Sequence, residues 1–293
     1  MMRDQAHKLR ELVRGRENKK SKQNQQENLT KTYAITSGKG GVGKTNFTVN
    51  LSLALKSEGK KVAIIDADLG MANIDVVLGV APQYNLNHMI SGQKEITEII
   101  MKGPKGLDII PGISGVEELA NLSDYQLQNF IKGWQILEDK YDIILIDTGA
   151  GVSKSVVNFI LAADEIIVIS TPEPTSVTDA YGIIKVIAKR QKNSRVNLVI
   201  NQIENSKEGE NVSKRLSKVA KDFLEVNLSI LGMIPSDKNV VKAVKKQKPF
   251  ILEFPNCKAA NAINEIKNEL LDIEVEEKSG GIKGFFSKLI GLS

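Results

Sequence analysis

Cysteine is nearly absent: Cys257 is the only one in 293 residues. A single cysteine forms no internal disulfide and supplies no cysteine-rich metal site, which sets aside disulfide-stapled secreted scaffolds and iron–sulfur carriers. Long apolar runs are absent as well. No stretch of about 18 apolar residues exists, so no segment reads as a bilayer-spanning helix. The opening MMRDQAHKLRELVRGRENKK lacks the apolar core of a secretory signal, and the chain is expected to be cytoplasmic. What is present is ordinary for a protein with a sizeable core, with 41% hydrophobic and 26% charged residues.

The formal net charge is +5, and its location matters more than its size. Residues 1–31 hold nine basic side chains (Arg3, Lys8, Arg10, Arg14, Arg16, Lys19, Lys20, Lys22, Lys31) and four acidic ones (Asp4, Glu11, Glu17, Glu27). The rest of the chain therefore balances to zero. A basic arm on a neutral body points to a peripheral partner rather than to a nucleic-acid-coated core.

Three zones follow from the pattern. Residues 1–31 are polar and read as a flexible arm. Residues 32–271 alternate short apolar runs with stretches of helical length. Residues 272–293 turn acidic, pass Gly280-Gly281 and close with IKGFFSKLIGLS. The apolar runs are TYAITS (32–37), KVAIIDAD (61–68), LDIIPG (107–112), DIILID (142–147), EIIVIST (165–171), NLVIN (197–201) and ILGMIP (230–235). They are short, rich in Ile and Val, and continuous rather than alternating, as strands buried on both faces must be. Between them, residues 46–57 place Phe47, Leu51, Ala54 and Leu55 at helical spacing. The cadence predicts one α/β domain, a mostly parallel sheet with helices on both faces.

The first strand runs into Gly38-Lys39-Gly40-Gly41-Val42-Gly43-Lys44-Thr45-Asn46, and a helix follows. This satisfies G-x-x-x-x-G-K-[ST] in the strand–loop–helix setting that the motif requires. Glycines let backbone N–H groups curl around phosphate oxygens, and the helix N-terminus adds its positive end. Lys44 is placed to reach the β- and γ-phosphates, and the Thr45 hydroxyl to bind Mg²⁺. The fourth run ends in Asp147-Thr148-Gly149-Ala150-Gly151, an apolar strand terminating in a carboxylate that acts on Mg²⁺. Gly151 lies in the glycine segment that lets the backbone approach the γ-phosphate.

With the second lysine, Lys39, the loop reads K-G-G-x-G-K-T, and the sequence resembles the MinD/ParA family of P-loop ATPases with a deviant Walker A motif. The resemblance covers residues 33 to about 270. It implies a fold of the P-loop NTPase, MinD-like kind, with ATP and Mg²⁺ as cofactors and an ATP-dependent homodimer in which Lys39 reaches the opposite subunit's phosphates. It also implies that Asp68 positions the attacking water, that Asp66 lies near the Mg²⁺ hydration shell, and that residues 66–75 form a first switch. Asn201 and the Pro235-Ser236-Asp237 loop fall where that family contacts ribose and base. No guanine signature N-K-x-D is present, since the match is Asn201-Gln202-Ile203-Glu204, and ATP is preferred over GTP.

At the C-terminus, Ile282, Phe285, Phe286, Leu289 and Ile290 recur at helical spacing, with Lys283, Ser287 and Lys288 on the other side. That pattern suits a helix lying in a bilayer interface. A helix packed back on the body has the same period, and periodicity does not separate them. The Gly280-Gly281 hinge and the acidic linker favour a detachable tail, and MinD proteins end in a similar membrane-targeting helix. At the N-terminus, Asp4-Gln5-Ala6-His7-Lys8-Leu9-Arg10 ahead of such a domain resembles the FlhG (YlxH/FleN) branch of flagellar-number regulators. The resemblance implies that this segment, with Gln5, Leu9 and Arg10, docks on the GTPase FlhF and stimulates it. It also implies a peripheral position on the inner face of the cell membrane, weak ATPase activity, and contact with flagellar basal-body (C-ring) proteins.

The runner-up is a ParA-type DNA-partitioning ATPase, or a MinD-type regulator of the division site. Lys238, Lys242, Lys245, Lys246 and Lys248 could hold DNA phosphates. A solvated helix face is the commoner source of such a run, and ParA proteins lack an apolar C-terminal helix, so DNA is disfavoured. Scaffolds of the Mrp kind and nitrogenase-type reductases need cysteines absent here, and bacterial tyrosine kinases end in a tyrosine cluster that is also absent. Trp134, Cys257 and both histidines carry no readable function.

Overall fold

The computed structural model describes residues 30–68, 74–112, 123–138, 140–192, 194–273 and 281–289. The expectations at Gln5, Leu9, Arg10 and Ile290, and at 69–73 of the first switch, lie outside them.

All seven sequence-predicted strands form: β1 (Lys31–Ser37), β2 (Val62–Ala67), β4 (Asp108–Ile110), β5 (Ile143–Ala150), β6 (Glu165–Ser170), β7 (Arg195–Ile203) and β8 (Leu228–Pro235). A two-residue strand, β3 (Met101–Lys102), adds an antiparallel edge on β4 that the pattern did not announce. The eight strands order as β3-β4-β2-β5-β1-β6-β7-β8. Apart from the β3 edge every neighbouring pair is parallel.

Alternate residues of the central strands feed opposite layers. Tyr33, Ile35, Ile64, Leu145 and Ile167 enter the core shared with α1 (Lys44–Ser57) and α11 (Lys258–Ile273). Ala34, Ile65, Ile144 and Ile146 face the other way. On that second face lie α5 (Asp124–Glu138), α6 (Lys154–Ala162), α7 (Pro174–Arg190) and α8 (Ser206–Leu224). The shorter helices α2 (Ile74–Leu78), α3 (Leu86–Ile90), α4 (Ile96–Ile99), α9 (Lys238–Lys245) and α10 (Phe250–Glu253) complete the layers.

The last described helix, α12 (Gly281–Leu289), belongs to this second face. It lies against α5, α6 and β1. Ile282, Phe285, Phe286 and Leu289 are all buried, at 0%, 1%, 4% and 7% exposure. Phe286 stacks on Trp134 with ring centroids 3.7 Å apart, and Phe285 sits 6.3 Å from Phe159 of α6. The Ile282 N–H donates to Glu138 Oε1 at 3.2 Å. Of the two positions that the period left open, the structure shows the helix packed on the body. Among the described residues no helix is long and apolar enough to cross a membrane.

Candidate nucleotide-binding site

The site forms where β1 ends and α1 begins. Gly38 passes so close to α7 that a Cβ there would stand 2.1 Å from the Asp179 backbone, which no larger residue permits. Gly43, with φ at 96°, caps α1 without a side chain, leaving the first-turn N–H groups directed at the loop. Gly41, also at positive φ, and Gly40 have open space where a Cβ would be, so the backbone lines the concavity. Val42 anchors the loop by burying its side chain in the core, and Asn46, half-buried on the first turn of α1, accepts a bond from Asn50 Nδ2 through its carbonyl.

The Lys44 ammonium is buried and donates to Ser37 Oγ at 3.0 Å. Burial lowers its pKa, while the charges of Asp147 and Asp68 pull the other way. Strands β2 and β5 bring Asp66 and Asp147 side by side as register partners. Burial first, then the charge of Asp147, raises Asp66 to about 7. Burial also raises Asp147 to about 6, opposed by the Thr45 hydrogen bond and the Lys44 charge. Thr48 Oγ1 donates to Asp147 Oδ1 at 3.3 Å. Two buried carboxylates that repel one another beside the Thr45 hydroxyl make a hard oxygen donor set suited to Mg²⁺. Among the described residues no group of three His, Cys, Asp or Glu side chains forms a self-sufficient metal cage, and Mg²⁺ at nucleotide sites relies on one or two carboxylates plus phosphates.

Asp68 stands at the end of β2, its N–H donating to Asp66 Oδ1 at 3.2 Å. Its Oδ1 lies 3.3 Å from where a Gly149 Cβ would be, so the segments after β2 and β5 meet there. The Gly151 N–H donates to Ser37 O at 2.9 Å, tying the segment after β5 to the start of the phosphate loop.

Four expected residues have occupations that the sequence did not show. Asn201 Nδ2 donates to Val42 O at 2.7 Å, bracing the phosphate loop from behind. Asp237 caps α9 by accepting the Asn239 N–H at 2.8 Å, and Pro235 closes β8 against Ile203. Lys39 pairs across the loop: its Nζ lies 2.6 Å from Glu173 Oε1 and 3.1 Å from Thr175 Oγ1. Of the five lysines weighed for DNA, Lys246 and Lys248 are ion-paired with Glu253. Trp134 was missed: it carries no motif, and only the arrival of Phe286 from 152 positions away gives it meaning.

Comparison with known proteins agrees with this geometry. Residues 30–200 match a family model described as an AAA domain. Antiactivator FleN of Pseudomonas aeruginosa is 40% identical over 237 residues, covering 81% of this chain and 85% of that one. The chain belongs to the MinD/ParA family of P-loop ATPases. Flagellum site-determining protein YlxH of Helicobacter pylori is 36% identical, covering 89% of this chain and 90% of its own. The septum site-determining protein MinD of Pyrococcus horikoshii, solved as a complex with Mg-ADP, superposes with a TM-score of 0.66 at 26% identity, covering 84% of this chain and 98% of that one. A MinD/ParA fold thus carries the nucleotide cradle described above.

Proposed function

We propose that the protein is a nucleotide-controlled switch that regulates flagellar number or placement, and that ATP binding frees α12 to hold it on the inner face of the cell membrane. The observation that carries this reading is the presence, in one chain, of a complete phosphate cradle and a docked amphipathic helix. The similarity to FleN and YlxH, whose names concern flagella, supports the biological setting.

In this reading the loop 38–45 binds the ATP phosphates, Lys44 and Lys39 neutralise charge developing on the transferred group, and Asp68 orients the water. Thr45 and Asp147, with Asp66 nearby, would hold Mg²⁺, which would supply charge neutralisation at the phosphates. Asn201, Pro235 and Asp237 frame the nucleoside. Lys39 exchanges its Glu173 partner for the phosphates of a second subunit, so the homodimer forms only with ATP. Hydrolysis is slow and resets the state.

Energetics say how release is controlled. Exposing Ile282, Phe285, Phe286 and Leu289 to water costs about 1.5–3 kcal/mol each, too much for spontaneous detachment. Burying the same side chains in a bilayer recovers a similar amount. The docked and inserted states are thus near balance, and a modest bias decides between them. α6 is positioned to deliver that bias: it follows the 147–151 segment directly, and its Phe159 faces Phe285. Two linked subunits then present two anchors.

The division of the chain follows: residues 1–31 an arm for FlhF, 32–271 the ATPase domain, and 272–293 the linker and anchor. C-ring proteins would meet the ATP-bound dimer. The arm supplies the decisive test. A peptide of residues 1–20 is expected to accelerate GTP hydrolysis by FlhF, whereas no stimulation would remove the FlhF assignment.

A further inference from the structure

At the N-terminal ends of β2 and β4, a cavity of about 410 Å³ opens on the edge of the sheet opposite the phosphate loop. Five lysines line it: Lys56, Lys60, Lys61, Lys102 and Lys140. Among the described residues a single carboxylate, Asp108, lines it with them. Asp108 is 6% exposed and accepts the Tyr141 hydroxyl at 2.7 Å. It is also ion-paired with Lys102 and, at 3.6 Å, with Lys140. Burial alone would push Asp108 up, but the Lys102 and Tyr141 hydrogen bonds and the two lysine charges hold it below the ordinary carboxylate range. It is therefore ionised; Lys60 has an interaction of its own, and among the described lining residues this one carboxylate stands against the other four lysines.

Two nearby acids among the described residues do not close the gap. Glu58 is ion-paired with Lys267 on α11, and Asp142 accepts the Lys61 backbone N–H at 2.7 Å; neither lines the cavity. The body of the chain is neutral overall, so gathering five of its lysines around one concavity is a local departure from the charge pattern. Like charges in one hollow repel unless an anion joins them. Two glycines with positive φ, Gly59 and Gly106, also line it, and open space lies where their Cβ atoms would be, which lets a ligand approach the backbone.

We propose that this cavity binds a phosphate-bearing anion, either a free polyphosphate or the headgroup of an anionic lipid. Its volume suits a small ligand, and three or more ammonium donors around one phosphate give charge-assisted hydrogen bonds. The cavity also adjoins the root of α12, because Lys140 follows by two positions the Glu138 that holds the Ile282 N–H. The lipid source rests on the membrane reading above; the free-phosphate source does not.

The test uses the full chain saturated with Mg-ADP, so that the phosphate loop is filled. Inorganic pyrophosphate is titrated calorimetrically into wild type and into a Lys56→Gln/Lys61→Gln variant, whose two wild-type ammonium groups carry no ion pair among the described residues. Both proteins are then sedimented, with Mg-ATP, on phosphatidylglycerol–phosphatidylcholine vesicles and on phosphatidylcholine alone, with and without pyrophosphate. Pyrophosphate affinity is expected to fall at least about tenfold in the variant, with ADP affinity and Tm unchanged. If vesicle binding also falls and pyrophosphate competes with it, the source is the lipid headgroup. If vesicle binding is indifferent to both, the source is free phosphate. Wild type that binds pyrophosphate but no vesicle leaves the anion site standing while the membrane reading fails. Equal binding by wild type and variant in both arms, or no binding by wild type in either, overturns the site.

Discussion

The indole of Trp134 lies flat against the ring of Phe286, with centroids 3.7 Å apart and planes 19° apart. Trp134 is 1% exposed and sits on α5, while Phe286 comes from the last described helix. This stack joins the amphipathic helix to the body. Offset aromatic pairs add about 0.5–1.5 kcal/mol beyond the area they bury. Trp134→Leu keeps an apolar side chain but loses the stack, and is expected to raise nucleotide-independent vesicle sedimentation several-fold with a Tm loss of a few degrees. Vesicle binding that still requires ATP to the same extent would show that the stack does not restrain the helix.

Lys39 and Glu173 make an exposed ion pair, with side-chain exposures of 37% and 55%, so solvent screening leaves it a weak restraint. Glu173→Gln should therefore change the ATP-dependent dimerisation constant by less than about fivefold. Lys39→Ala should bind ATP nearly as well as wild type yet lose turnover by a factor on the order of 10² or more. Steady-state phosphate release alongside nucleotide titration separates the two. Undiminished turnover in Lys39→Ala would remove its catalytic role.

Asn201 bears on the loop rather than on chemistry. Asn201→Ala removes the bond to Val42 O, a net loss of about 1 kcal/mol. Mg-ADP affinity is expected to weaken roughly fivefold, with the turnover number little altered. A large fall in turnover at saturating ATP would assign Asn201 a different part.

The paired acids give the nucleotide-free protein a pH signature. Asp66 is raised to about 7 and Asp147 to about 6, both from an ordinary 3.8. A carboxyl raised by folding favours the protonated form, so its contribution is full below pH 4 and fades as pH climbs through 6 and 7. Asp66→Asn removes the Asp66 part of that dependence and leaves that of Asp147, which its own burial raises. Thermal unfolding between pH 5 and 8 without nucleotide or Mg²⁺ should show wild type losing stability relative to the variant as pH rises. Parallel curves would contradict the raising of Asp66 by its burial and by the charge of Asp147.

Much of the fold was legible because buried parallel strands announce themselves as short Ile/Val runs, and all seven formed within a few residues of expectation. The phosphate loop was legible because its chemistry demands glycines at fixed spacing. Other features depend on partners distant in sequence. Strand β3 has two residues and no pattern of its own. The pairing of Lys39 with Glu173 and of Asn201 with Val42 joins segments more than 130 residues apart. The helix at 281–289 shows the limit most clearly. Its period fixed which side chains form the apolar face, but not what covers it, since Trp134 and Phe159 supply the cover and neither carries a motif.

Nucleotide-gated release of α12 is tested most directly by amide hydrogen exchange over residues 281–289. The Asp68→Ala chain, which should hold ATP without turning it over, is compared in Mg-ADP and Mg-ATP with no vesicles present. Undocking into water stays rare in both, but the bias that ATP supplies is expected to speed exchange of the segment by about tenfold or more over ADP. Equal protection of the segment in both nucleotides would contradict the release.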